Sequence, residues 1–185
     1  VQGDEAFERV RLVEGWTFRQ FRAALAAAPH LKPAGAALSE ADLMAAIGQP
    51  GVPAEGRFFP DTYRFVAGAT DVEILKRALA EMDRRLAKAW AGRDPALPIA
   101  TAYEALILAS IVEKETGRAG ERPAIASVFV NRLRKGMRLQ ADPTVIYGVV
   151  NFDGNLTRRH LTTPTPYNTY TQMGLPPGPI ASPGL

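Results

Sequence analysis

The sequence predicts an α+β fold, with a small N-terminal lobe followed by a mainly helical part that ends in a long loop-rich stretch. Three observations carry this expectation. Residues 8–15, "ERVRLVEG", alternate Val10 and Leu12 with Arg9 and Arg11, which is the period of a strand. Five later segments repeat apolar residues at helical spacing behind recognisable start signals. The chain also contains 15 prolines and 16 glycines, too many for a simple helical bundle, and prolines crowd its last 25 residues.

Each element has a local reason. Gly15 turns the chain after the first strand, and Thr17 is an N-cap for "FRQFRAALAAA", where Phe18, Phe21 and Leu25 share a face. Ser39 caps a short helix over Glu40–Ala46, with Gly48 past its end. Strand, helix and helix within residues 1–50 read as a compact module rather than a catalytic core. Residues 51–185 form the second part. It opens with a loop, "QPGVPAEGRFFPDTYRFVAGAT", unusually aromatic for a linker. An amphipathic helix then runs from Asp71 to about Ala91, with Ile74, Leu75, Leu79, Met82 and Leu86 as its stripe. Thr101 opens the next helix, which stops before Gly117. Pro123 sits in the first turn of another, over about 122–135, with Ile125, Val128, Phe129 and Leu133 facing inward. From Met137 on, the chain reads as mostly irregular.

Composition excludes several functions. There is no cysteine, so disulfides and thiolate chemistry are out. The pI is near 9.4, yet the net charge is only +3 and is spread along helix faces, which argues against nucleic acid as a partner. No run approaches the ~20 apolar residues that span a bilayer. No signal peptide is present. The opening "VQGDEAFERVRLVEG" has no initiator Met and reads like the middle of a longer chain. Two histidines, His30 and His160, without ligand spacing give no metal site. No nucleophile elbow and no phosphate-binding glycine loop occurs, and no cofactor is expected.

Carboxylates remain. "LILASIVEKETG" (106–117) carries a dense apolar run directly into Glu113, Lys114 and Glu115. Glu113 follows the run and is the more desolvated of the two acids. Desolvation raises a carboxyl's pKa toward the range a general acid uses. Glu113 and Glu115 are about 200° apart around the helix, so they address different directions. The plainer alternative is a solvated Glu at a helix end paired with a basic side chain. In the tail, Gln140, Asp142, Tyr147, Tyr167, Asn168, Tyr170 and Gln172 offer amides, hydroxyls and flat apolar faces suited to a hydroxyl-rich, acetamido-bearing ligand. The plainer reading there is a loop whose tyrosines pack on the domain.

Four stretches in order, "EGRFFPDTYRF" (55–65), "ASIVEKET" (109–116), "VFVNRLRKGMRLQADPTVIYG" (128–148) and "TPYNTYTQMGLPPGPIASPG" (165–184), resemble the endolytic murein transglycosylases of the MltG (YceG-like) family. The N-terminal segment is similar to that family's small LysM-like lobe. The resemblance implies a bacterial cell-envelope lyase, anchored in the inner membrane by an N-terminal helix that this chain lacks and facing the periplasm. It implies cleavage of the β-1,4 bond between N-acetylmuramic acid and N-acetylglucosamine in peptidoglycan glycan strands, leaving 1,6-anhydromuramoyl ends. Peptidoglycan synthases are candidate partners. The family's catalytic Glu falls on "IVEKE"; we place it on Glu113, with Glu115 in reserve. Gln140, Asp142, Tyr147, Tyr167 and Asn168 are candidates to hold the glycan. Arg57 or Arg138 would orient Glu113 or meet peptide-stem carboxylates. Family members continue past "SPGL", so a chain truncated at both ends is expected. The alternatives are a glycoside hydrolase of the same polymer, with Asp61 or Asp142 as second carboxylate, and a non-catalytic peptidoglycan-binding module.

Overall fold

The computed structural model describes residues 7–184; the opening residues 1–6, read above as mid-chain, and Leu185 lie outside the described residues. Strand β1 (Phe7–Arg11) pairs antiparallel with β2 (Thr62–Val66), Val10 opposite Tyr63. The second strand arises from the aromatic stretch expected to be loop. Tyr63 and Phe65 alternate with Thr62, Arg64 and Val66, a period of two that Pro60 and Gly68 hide on either side.

Helices α1 (Phe18–Ala27) and α2 (Glu40–Ala46) follow β1, and α3 (Asp71–Ala91) follows β2. Thr17 and Thr70 each accept from the third residue of their helix, and Gln20 and Glu73 reach back to the cap, closing two capping boxes. Phe21, Leu43, Met44, Phe58, Ile74 and Leu75 pack under the two-stranded sheet, essentially inaccessible. This cluster extends to Leu79, so the packing of the first lobe continues well beyond residue 50. The aromatic stretch belongs to it because strand β1 needs a partner, and β2 is the one it finds.

Helix α4 (Ala102–Glu115) is the centre of the second half. Ile107, Leu108, Ile111 and Val112 are buried against Phe129 of α5 (Arg122–Arg134) and against Leu139, Ala141 and Ile180. Val128, expected to face inward on α5, is half exposed; only Phe129 of that helix is fully buried. Met82 of α3, Phe59 and Leu106 of α4 form a small cluster between the halves. The tail carries two short helices that the prolines concealed, α6 (Asp142–Gly148) and α7 (Arg158–Thr162). It then returns to the N-terminal lobe. Ile180 N–H donates to Ser110 Oγ (3.1 Å), Ser182 N–H to the Trp16 carbonyl (2.9 Å), and Gly15 N–H to the Ser182 carbonyl (2.9 Å). Among the described residues no helix is long and apolar enough to cross a membrane.

Candidate active site

Helix α4 starts on Thr101, whose hydroxyl accepts from Glu104 N–H while the Glu104 carboxylate accepts from Thr101 N–H. It ends at Glu115 because Thr116 is extended and its hydroxyl is engaged locally, donating to Glu121 (2.7 Å) and accepting from Arg118 N–H (3.0 Å). A 3₁₀ turn, Ala119–Glu121, then reverses the chain into α5. The reversal sets Arg122, the first residue of α5, 2.9 Å from Glu113 Oε1. The other oxygen, Oε2, accepts the Gly184 N–H at 2.9 Å. The Glu113 side chain is only 7% exposed and that of Arg122 is 22% exposed.

Glu113 is thus buried as the apolar run predicts, but its surroundings are not purely apolar. Two charge-assisted hydrogen bonds fix both carboxyl oxygens. The orienting cation is Arg122, not Arg57 or Arg138. Arg57 pairs with Asp83 of α3 (3.3 Å), and Arg138 is exposed with no ion pair among the described residues. A signal for Arg122 was available. A cation in the first turn of a helix opposes the helix dipole by about 0.3–1 kcal/mol. Arg122 occupies that position on α5, with the Glu113 carboxylate beside it.

Two depressions meet at Glu113 and Arg122. One, of about 490 Å³, is mostly apolar and lies along Leu108, Ala109, Val112, Pro123, Ala126 and Pro183. The other, of about 380 Å³, lies against the end of α4 and the turn Val13–Trp16. Glu115 also borders the second one. Both volumes fall within the range of small-molecule and saccharide sites. The turn Val13–Trp16 of the N-terminal lobe therefore forms a wall of the site. Gly15, at φ +77°, supplies the left-handed turn that brings this segment beside Glu113; a side-chain carbon there would stand in ordinary contact, 3.8 Å from Glu113 Cγ. Lys114 Nζ donates to the Gly15 carbonyl (3.2 Å).

The other candidates fall into two further groups. Glu115 is exposed; its carboxyl is raised above the ordinary range by partial burial and by the nearby Asp142 carboxylate, with Arg132 opposing. Asp142 accepts from the Tyr170 hydroxyl (2.6 Å), which pushes that phenol up to about 12. Gln140, at φ +53°, enters α6 with its side chain exposed and its N–H donated to the Thr169 carbonyl (3.1 Å). Tyr147 and Tyr167 meet with ring centres 4.7 Å apart and planes inclined by 58°, and Tyr147 donates to Glu55 (3.1 Å). Glu55 also accepts the Phe18 N–H (2.9 Å); burial raises its carboxyl despite these donors. Burial raises both tyrosines as well.

Asn168 is not available to a ligand. It is fully buried, its amide donates to the carbonyls of His160, Leu161 and Thr163, and its oxygen accepts the Tyr170 N–H. It holds the tail's shape, as a buried, fully satisfied amide does. Glu55 was quoted in the first matching stretch without a role of its own. Among the described residues no group of three or more His, Cys, Asp or Glu side chains is placed to hold a metal ion.

Comparison with known proteins adds to this geometry. The model of the YceG-like family matches residues 1–185. A Bacillus subtilis (strain 168) protein named endolytic murein transglycosylase is 36% identical over 133 residues, 72% of this chain. A protein of the same name from Streptococcus pneumoniae serotype 2 is 34% identical over 137 residues, 71% of this chain. The chain spans 37% and 24% of the lengths of these two relatives. The crystal structure of a yceG-like protein from Listeria monocytogenes shares the fold, with TM-score 0.77 at 31% identity, over 96% of this chain and 63% of that one.

Proposed function

The chain belongs to the YceG-like family, and from that premise we propose that it carries the acid/base centre of a lytic transglycosylase acting inside peptidoglycan glycan strands. The observation that supports this reading is Glu113, buried, held at both oxygens and standing where two depressions meet. A glycan crossing from one depression to the other passes its scissile bond over this carboxyl. Protonated Glu113 donates to the glycosidic oxygen as the C1–O bond breaks. The carboxylate then takes the proton of the muramoyl C6 hydroxyl, whose oxygen closes on C1 to leave a 1,6-anhydro end. No water is consumed, and one carboxyl serves both transfers, unlike the paired carboxylates of most glycosidases. Arg122 and the Gly184 N–H keep the carboxyl aimed throughout. Gln140 and Asp142 hold the strand from the Glu115 side.

By the same family reasoning, the protein works in the bacterial cell envelope on peptidoglycan, beside peptidoglycan synthases and tethered through an N-terminal anchor. Its N-terminal lobe is of LysM type. A second reading, a hydrolase, draws on Glu115 and Asp142: a raised carboxyl beside another carboxylate is the pairing such enzymes use.

Purified glycan strands digested with the wild type and with Glu113→Gln, followed by mass spectrometry of the new ends, test the proposal. The wild type is expected to leave ends lighter by one water than reducing ends, and Glu113→Gln to leave none. Normal turnover by Glu113→Gln, or reducing ends only from the wild type, would refute it. The latter result with Glu115→Gln inactive selects the hydrolase.

A further inference from the structure

The N-terminal lobe brings a further carboxylate, besides Glu113 and Glu115, to the same site. Glu14 lies in the turn between β1 and α1, is exposed, and makes no hydrogen bond or ion pair among the described residues. It lines the depression at the end of α4 together with Glu113 and Arg122, and a neighbouring one with Arg122 and Gly184. A side-chain carbon added at Gly184 would stand 3.3 Å from Glu14 Cβ and 3.6 Å from Glu113 Oε2. The same glycine that donates to Glu113 therefore lies against Glu14. The turn itself is pinned from three sides: Gly15 N–H and the Trp16 carbonyl pair with Ser182, and Lys114 bonds the Gly15 carbonyl. A rigid turn that needs nothing from its glutamate still presents that glutamate to the site.

We propose that Glu14 is the electrostatic counterpart of Glu113, facing the positive charge that builds at the muramoyl C1 as the glycosidic bond breaks. The inference rests on the transglycosylase reading above. The electron pair of the C1–O bond leaves with the glycosidic oxygen, which takes the Glu113 proton. C1 is then electron-poor until the C6 oxygen closes on it and returns its proton to Glu113. Glu14 exchanges no proton in this step. A negative charge carried beside an oxocarbenium-like centre stabilises the transition state more than the neutral substrate, so it acts on kcat rather than on KM.

The test uses the full chain with Glu14→Gln and Glu14→Asp. Glu14→Gln is expected to lower kcat about tenfold or more while KM stays within about twofold. Glu14→Asp, which keeps the charge, retains more of the rate. A second arm measures binding of a saccharide mimic whose ring oxygen is replaced by a protonated nitrogen, against its uncharged parent glycan. Affinity for the cationic mimic is expected to fall about tenfold in Glu14→Gln, with the parent unchanged. Unaltered kcat in Glu14→Gln, or equal loss of mimic and parent binding, would overturn the role. If the wild type yields no anhydro ends, the transglycosylase reading fails by itself, and the mimic arm still decides whether Glu14 faces a cationic ring.

Discussion

Arg122→Met, Glu113→Gln and the double variant form a cycle that measures how strongly the site's ion pair is coupled. At the 2.9 Å separation observed, two unit charges attract by about 6 kcal/mol at an effective dielectric of about 20. Desolvation of a carboxylate that is 7% exposed and a guanidinium that is 22% exposed takes back part of this. The Gly184 N–H stays with Glu113 in every Arg122 variant, so it does not enter the difference. We expect a coupling of about 2–4 kcal/mol, against about 0–1 for an exposed pair. Arg122→Met alone leaves a buried carboxylate without its cation and is expected to cost about 3–5 kcal/mol. In a domain of this size that lowers Tm by roughly 6–20 °C. Glu113→Gln keeps the size but only one acceptor: its amide oxygen accepts from either Arg122 or Gly184, and its NH2 faces the other donor. Urea unfolding of the four proteins, with matching m-values, supplies the cycle. Whatever else Arg122 touches is lost in both backgrounds and cancels. A coupling below about 0.5 kcal/mol would show that the pair is solvated and that Glu113 is not held as described.

Two other residues give independent checks. Glu55 is raised by burial, so the folded state keeps its proton to a higher pH than the unfolded state, and wild-type stability falls as pH climbs through that interval above about 4.5. Glu55→Gln removes the interval; its Tm relative to wild type should be more favourable at pH 7 than at pH 4.5, and a difference independent of pH would contradict the burial argument. Gly56, at φ +75°, has room for nothing: an added side-chain carbon would stand 2.4 Å from Pro179 Cβ. Gly56→Ala is expected to cost about 2–4 kcal/mol in urea unfolding, from left-handed strain plus overpacking, and a change below about 0.5 would refute the close contact.

The helices were legible because their signals are local. Thr17, Ser39 and Thr101 announce their helices within four residues, and all three act as caps; Thr70, read as the end of a loop, caps α3 as well. Buried apolar stripes on α1 and α3 followed from spacing, and the burial of α4 from its dense apolar run. What escaped depends on distance along the chain. β2 is defined by β1, more than fifty residues earlier, and neither its prolines nor its glycines say so. Arg122 meets Glu113 through a 3₁₀ turn rather than at the three- or four-residue spacing of one helix. Tail residues chosen for their chemistry separated once folded: Asp142 went to Glu115, Tyr147 and Tyr167 went to Glu55, and Asn168 went into the interior. Residue type indicates what a side chain can bind; only the path of the backbone decides what it meets.

The strap that runs from Ile180 to Gly184 has a consequence for biosynthesis. Glu113 precedes by 71 residues one of its two fixed partners, the amide of Gly184, and the turn bearing Glu14 is stitched to Ser182. During ordered, N-terminus-first synthesis, the lobe and α4 can therefore form while the carboxyl at 113 is still loose. It acquires its final geometry only when the proline-rich stretch 176–183 emerges and folds back across the turn at residues 14–16. A ribosome-stalled chain ending before residue 180 would hold its acid on a built helix, without the clasp that aims it.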